Sequence, residues 1–425
     1  MKITIHRGID QIGGCITEIE SSKGTKILID LGHNLPDGES VANDRYDEKS
    51  NIETLLDGVS HIFYSHYHSD HIGFESKVPD KIQQHIGSLS LKMIKNLREH
   101  MTYADSLKEE AYESLSALKR FDEYESNKRK VYGDIAITPL PVSHSAIDAH
   151  MFLIECDGKT ILHTGDFRDN GYNGKEMFEE IKSHISQSID ILITEGTLLS
   201  RDNPKMITEY QLKEKAKQLL NKYKYAFVLC SSMDVDRLCS FFKASRENNS
   251  DRRIIADKYQ IKQFQTIKDN INNKPYNEIF AYQYAWKWDE ELHRMQSSGF
   301  LMFVRHSKTF EKYIYNTIKT LNINPKDIVF IYSKFSGYIN KNHKAYNSSL
   351  YKFINKYNWN IEQLHTSGHA SKEALTEICN TANPNYAIIP IHKEGKGSMS
   401  LLELKTHCPI IEETTKIEDI EIIIK

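Results

Sequence analysis

Ser65-His66-Tyr67-His68-Ser69-Asp70-His71 puts three imidazoles and a carboxylate into six consecutive residues of a 425-residue chain. Such side chains are costly to bury unless they are paired or bound to a cation. Packing gives no reason to crowd them, whereas divalent transition metals take neutral imidazole and carboxylate ligands. The preceding residues, His61-Ile62-Phe63-Tyr64, are mostly apolar or aromatic and read as a buried strand. On an extended segment His66 and His68 point the same way, because side chains alternate with period two. Ser69, Asp70 and Gly73 suggest a turn into a helix. Two ligands would then leave a strand end and two the following turn, enough for two neighbouring ions.

Further along, three more segments end apolar runs with a candidate ligand: Pro141-Val142-Ser143-His144, His163-Thr164-Gly165-Asp166 and Ile389-Pro390-Ile391-His392. Strand C-termini are where α/β active sites collect. His163 itself, inside a strand beside Leu162, reads as a core histidine or one that supports the ligands, and His61 is similar.

The chain exceeds the ~250–300 residues at which single cores stop growing, so two domains are expected. Its formal net charge is −3, with no global basic excess. That weakens a nucleic-acid partner without excluding a local basic groove. Cysteines 15, 156, 230, 239, 379 and 408 contain no C-x-x-C pair and read as thiols of a reducing, cytoplasmic compartment. The opening residues alternate like a strand and lack the ~7–15-residue apolar core of a signal peptide. No run of about 18 apolar residues suggests a membrane span.

Strand character occupies 2–6, 15–20, 26–31 and 59–65. Residues 75–130 read as a charged helical insertion, with 119–130 a solvated helix face or loop. Strands return at 134–142, 150–155, 159–163 and 189–194. From about 202 helix and strand alternate (208–222, 225–230, 234–246, 253–256, 259–270), a rhythm that predicts a parallel three-layer α/β domain. A strand at 361–364, a helix at 371–380 and strands at 386–391 and 420–424 follow. The expected domains are 1–200, an inserted 201–358, and 359–425.

H-x-H-x-D-H, a lone histidine, a T-G-D aspartate and a late histidine together resemble the metallo-β-lactamase superfamily. Its fold is an αββα sandwich with a binuclear metal site at one edge. The long gap between Asp166 and His392, and His365-Thr366-Ser367-Gly368-His369-Ala370 after it, resemble the β-CASP branch, which includes ribonuclease J and the mRNA 3′-end cleavage endonucleases. Glu195 in Ile193-Thr194-Glu195-Gly196-Thr197 matches that branch's acidic motif, and Cys230-Ser231-Ser232 its strand-to-helix loop.

The resemblance implies His66, His68 and His144 around one divalent ion. It implies Asp70, His71 and His392 around another, Asp166 between them, and Asp30 in support. The ions would be Zn2+, with Mn2+ the other metal that fits. It also implies Asp70, His369 and Glu195 in catalysis, with His369 giving the leaving oxygen its proton. His365, Ser367, Gly368 and Ser232 would meet substrate phosphate. The expected activity is a ribonuclease on single-stranded RNA, since a histidine at His392's position goes with RNA-acting members. A DNA nuclease, a hydrolase of a small ester, lactone or thioester, and a non-catalytic nucleic-acid-binding protein are the alternatives.

Lys393 stands where relatives usually have glycine, so altered substrate contacts are expected at the rim. With its last residue at 425, the chain is expected to lack the C-terminal domain several relatives use for assembly, and homo-oligomerisation is left open. Tyr282, Tyr284, Trp286 and Trp288 read as a half-buried strand or as stacking surfaces for bases. Ser333-Lys334-Phe335-Ser336-Gly337 reads as a plain turn or as a loop expected to line the cleft between domains.

Overall fold

The computed structural model describes all residues except 37–43, 48, 186–187, 202–205, 285–288 and 418, so Trp286 and Trp288 lie outside the described residues. The chain divides into two compact units. One comprises residues 1–35, 42–205 and 368–425; the other is built from 206–367.

Two sheets form the first unit. Strands Thr415–Ile417, Ile420–Ile424, Lys2–Arg7, Ile16–Glu20, Lys26–Ile29, Val59–Phe63, Gln83–Gly87 and Asp122–Tyr124 lie side by side in that order. The other sheet runs Ala387–Ile391, Ile191–Glu195, Lys159–His163, Ala149–Cys156, Ile135–Val142, Lys130–Tyr132. Period-two alternation presses their inner faces together. Ile3, Ile5, Ile27, Ile29 and Phe63 from one sheet meet Ile135, Ile137, Phe152, Ile154, Ile191, Ile193 and Ile389 from the other in one buried cluster.

The alternate residues Leu162, Leu192 and Ile388 face outward and are covered by helices Gly174–His184 and Lys372–Ala382, through Met177, Phe178, Leu375 and Ile378. Helix Ser88–Met101 lies against strand Gln83–Gly87 of the opposite sheet. The result is the expected αββα sandwich. Strands Lys159–His163, Ile191–Glu195 and Ala387–Ile391 are mutually parallel, so their C-terminal ends share one edge. That edge carries Asp166, Glu195 and His392.

The second unit holds a six-stranded sheet in the order Tyr282–Gln283, Arg253–Ala256, Phe300–Val304, Tyr225–Cys230, Ile328–Ser333, Asn360–Gln363. Every pairing in it is parallel. Arg237, fully buried, binds the Glu209 carboxylate at 2.9 Å, Ser333 Oγ at 2.7 Å and the Thr366 carbonyl at 3.0 Å. Its guanidinium thus ties a helix N-terminus to two strand ends by charge-assisted bonds. Lys334 and its neighbours pass from this network into the short helix Ser336–Ile339. Tyr284 stacks on Tyr313 at 4.0 Å and Arg253 lies over Tyr282 at 3.5 Å, so both tyrosines already have packing partners.

Three expectations change. Residues 75–130 are not wholly helical: helices Ser88–Met101 and Lys108–Leu118 are flanked by Gln83–Gly87, Asp122–Tyr124 and Lys130–Tyr132. Within the 119–130 charge run, Asp122–Tyr124 and Lys130–Tyr132 are three-residue edge strands; an edge needs only one buried residue each, here Tyr124 and Tyr132. The strand near 361–364 is Asn360–Gln363, and it pairs with Ile328–Ser333. It therefore belongs to the inserted unit, and the second boundary falls at 367/368 rather than 358/359. Among the described residues, no helix is long and apolar enough to cross a membrane.

Buried ionisable groups set two expectations for stability. Glu209→Ala removes the carboxylate hydrogen-bonded to the Arg237 guanidinium, with Asp234 Oδ2 at 3.8 Å a poor substitute, and is expected to cost about 3–5 kcal/mol in chemical denaturation, against near wild-type stability for a surface control, Glu373→Ala. His85 Nε2 lies 3.0 Å from His61 Nδ1, and its ring stacks on Phe63. Burial, aided by His61 and Lys130, pushes the His85 pKa down to about 3. The folded state therefore holds this imidazole neutral while the unfolded chain takes up a proton. Stability is expected to fall as pH drops from about 6.5 toward 3, by up to about 1.4 kcal/mol per unit for this one group. His85→Gln is expected to flatten that slope in urea unfolding measured across the range.

Candidate metal centre

Strand Val59–Phe63 ends in Tyr64-Ser65, and the chain then turns through His66 and His68 into the short helix Ser69–Ile72. Gly32 makes that turn possible. A Cβ there would lie 1.7 Å from the Asp70 carbonyl oxygen, so only glycine lets the two loops pass. The turn is also tied down by Cys15 N–H donating to the Asp70 carbonyl and His33 N–H to that of Ser69.

The seven proposed ligands converge in two groups. In the first, His66 Nε2 and His144 Nε2 stand 3.1 and 3.3 Å from His68 Nδ1. Burial and the neighbouring imidazoles push His66 and His144 well below the ordinary histidine range, and burial carries His68 down to about 4 against the pull of Asp70. All three are thus neutral at pH 7, and a neutral imidazole carries one N–H and one lone pair. The three facing nitrogens cannot all satisfy one another by hydrogen bonds, but one cation among them would satisfy all three.

In the second group, His392 Nε2 lies 3.3 Å from Asp70 Oδ2 and 3.6 Å from Asp166 Oδ2. His71 Nε2 lies 3.2 Å from Asp166 Oδ2 and 3.9 Å from Asp70 Oδ2. This buried His71 nitrogen makes no well-formed hydrogen bond. Burial opposes charge on Asp70 and Asp166, yet the surrounding histidines hold both carboxyls below the usual range. Burial likewise disfavours protonation of His71, but Asp166, Asp30 and Asp70 outweigh it and raise its pKa well above the ordinary value. A divalent ion here would take the place of that proton. The neutral trio, the orphaned His71 nitrogen and the two facing carboxylates fit a pair of divalent ions, with Asp166 reaching both sets: His66, His71 and Asp166 also cluster within ligand range.

Around the donors sit the groups that orient them. Asp30 accepts from Ser65 N–H at 2.7 Å and Ser65 Oγ at 2.9 Å. Its other contact is His71 Nδ1 at 2.8 Å, which turns Nε2 toward Asp166. Asp30 has φ 60°, a left-handed backbone unusual for a non-glycine residue. His163 is buried under the same edge, taking Gly165 N–H on Nδ1 at 3.2 Å, with Nε2 at 3.3 Å from Thr17 Oγ1. It is a core histidine that supports the turn carrying Asp166.

Glu195 is fully buried and accepts from Phe167 N–H at 3.0 Å and Ala370 N–H at 3.2 Å through Oε1. Its Oε2 lies 3.3 Å from His369 Nδ1, and Asp166 Oδ2 stands 3.5 Å from the same nitrogen. Burial works against the charged imidazole, but Glu195 and Asp166 prevail and raise the His369 pKa above the usual value.

Other candidates have different surroundings. A Gly368 Cβ would meet Ser145 Oγ at 2.9 Å, so a side chain here would have to turn that hydroxyl aside. His365 accepts from Arg237 on Nδ1 at 3.1 Å, and Ser232 Oγ accepts from Gln260 at 3.2 Å; with Ser367, they belong to the inserted unit. Lys393 does not project at a rim. It is buried and pairs with Glu412 at 3.0 Å, so the long side chain finds its counter-charge in the C-terminal segment.

Two residues at this edge went unread in the sequence. Cys15 lies within ligand range of His71 and His392. Thr197, two residues after Glu195, touches both His392 and His369; nothing about an isolated threonine announces this.

Histidine and aspartate donors gathered at one edge of an αββα sandwich define the metallo-β-lactamase class. Residues 25–230 match the beta-lactamase superfamily domain, and residues 347–403 match the Zn-dependent metallo-hydrolase RNA specificity domain. The chain belongs to the metallo-β-lactamase superfamily, in its β-CASP branch.

It is similar to the probable RNase MJ4 of Methanocaldococcus jannaschii, 27% identical over 271 residues, 60% of this chain and 59% of that protein. It also resembles ribonuclease J of Helicobacter pylori (28% identical, 40% of this chain, 23% of that protein) and endoribonuclease ysh1 of Aspergillus fumigatus (29%, 47% and 24%). The matches thus span about three fifths of the first relative's length and about a quarter of the others'. A crystal structure of a protein of unknown function from Enterococcus faecalis V583 shares the fold, with TM-score 0.71 over 96% of this chain and 97% of that one at 18% identity.

Removing one donor from the second group is expected to lower metal content. His392→Ala and Asp70→Ala should each retain fewer ions per chain than the wild type by elemental analysis after dialysis. Unchanged stoichiometry in both would refute their place among the ligands.

Proposed function

We propose that this chain is a metal-dependent ribonuclease that hydrolyses phosphodiester bonds of single-stranded RNA. The observation that carries the reading is the placement of His369 beside Asp166: a histidine whose Nδ1 faces Glu195 Oε2 at 3.3 Å and Asp166 Oδ2 at 3.5 Å, next to a donor set that fits two divalent ions. The RNA-specificity domain match and the relatives named as ribonucleases support RNA as the substrate.

In this reading His66, His68 and His144 would hold one ion and Asp70, His71 and His392 the other, with Asp166 within reach of both groups. Zinc suits the donors. Two such ions supply Lewis acidity toward a phosphoryl oxygen and ready deprotonation of water near neutral pH. Asp30 keeps His71 in the tautomer that presents Nε2. Asp70 serves as ligand and as a fixed negative charge beside the reacting groups. Glu195, held by two backbone N–H donors, fixes His369 Nδ1 and leaves Nε2 as the nitrogen that delivers a proton to the leaving oxygen. Gly368, directly before His369 in the first unit, is assigned to the backbone facing the scissile phosphate.

The test uses purified, zinc-assayed protein on labelled linear and circular RNAs and on single-stranded DNA of the same sequence. RNA should be cut in preference to DNA. His369→Ala should lose cleavage by about 10²–10⁴-fold, the usual worth of a general acid, while keeping its zinc. A His369→Ala protein that cleaves at the wild-type rate removes the donor role, and an absence of RNA cleavage by the zinc-loaded wild type removes the substrate.

A further inference from the structure

Thr197 is placed where one hydroxyl meets both halves of the site. Its Oγ1 lies 2.7 Å from His392 Nδ1, 3.1 Å from the His392 carbonyl oxygen and 3.2 Å from His369 Nδ1. The side chain is buried. A hydroxyl has one hydrogen to give and two lone pairs to receive with, and these three neighbours use all of them. The carbonyl can only accept, so the hydroxyl donates to it. Both imidazole Nδ1 atoms must then donate to Oγ1.

Tautomers follow from that assignment. His392 carries its proton on Nδ1, so its Nε2 lone pair faces Asp70 and Asp166. His369 also carries a proton on Nδ1, donated to Thr197 Oγ1 with Glu195 Oε2 and Asp166 Oδ2 facing it at 3.3 and 3.5 Å. The bond to the His392 carbonyl adds a backbone role. His392 has φ 51°, in the left-handed region that costs a non-glycine residue of order 1 kcal/mol or more. Thr197 therefore restrains both the ring and the strained main chain of the same residue.

We propose that Thr197 is a positioning residue shared by the second ion's ligand His392 and the proton donor His369. It fixes the tautomer of the first and the orientation of the second through one hydroxyl. The inference rests on the proposed metal reading of the site, and its metal-binding arm is independent of the substrate.

The experiment compares Thr197→Val, which keeps the shape and removes the hydroxyl, with Thr197→Ser, which keeps the hydroxyl. Zinc affinity is measured on the full chain by competition with a chromophoric chelator. Thr197→Val should weaken one of two zinc sites by about 10–100-fold, the usual effect of losing a partner of a ligating histidine, and Thr197→Ser should bind as the wild type does. A Val variant with wild-type affinity at both sites, or a Ser variant as impaired as Val, overturns the role at His392. Where the Val protein fails to fold by circular dichroism, Thr197→Ala is read in its place.

RNA cleavage at saturating zinc reads the second contact: the Val variant should remain at least tenfold slower with both sites filled, and equality with the wild type overturns the role at His369. A wild type that binds two zinc ions and cuts no RNA refutes the substrate assignment alone. A wild type that binds no zinc refutes both proposals.

Discussion

Buried polar groups must be satisfied, and the loop between Val59–Phe63 and Ser69–Ile72 buries more of them than protein partners can satisfy. His66, His68 and His144 bring facing ring nitrogens together, and His71 and His392 face the Asp70 and Asp166 carboxylates. Left to themselves these groups are a desolvation cost. With divalent ions among them they become a ligand set. The surrounding fold is organised to hold that set together: the parallel ends of Lys159–His163, Ile191–Glu195 and Ala387–Ile391, and the tight approach of Gly32 to Asp70.

The second layer of the site is as constrained as the first. Asp30 and Thr197 each take the far nitrogen of one histidine, His71 and His392. Glu195 is itself fixed by the N–H groups of Phe167 and Ala370, so the His369 ring inherits its position from two separate turns. This linkage explains how residues from nearly the whole length of the first unit act at one point. The inserted unit has its own organising charge, Arg237, at the C-terminal ends of a parallel sheet.

Much of this was legible in the sequence because the decisive signals are local. H-x-H-x-D-H lies within six residues, strand-end histidines follow apolar runs, and the β–α rhythm after 202 is set by periodicity. What escaped was set by distant partners. Lys393 looked like a rim residue because nothing near it in sequence reveals Glu412. Asn360–Gln363 looked like part of the sandwich because a four-residue strand does not say which sheet it joins. The edge strands Asp122–Tyr124 and Lys130–Tyr132 were hidden in a run of charges, since an edge strand needs few apolar residues. Thr197 carries no signal at all without the fold that brings it to two histidines.

The central claim is that this edge holds two divalent ions sharing Asp166. Anomalous diffraction from crystals of the zinc-loaded wild type, collected on both sides of the zinc edge, tests it most directly. The account predicts two peaks in each chain, one among His66, His68 and His144 and one among Asp70, His71 and His392, with Asp166 between them. No peak at this edge, or a single peak outside both groups, would contradict it.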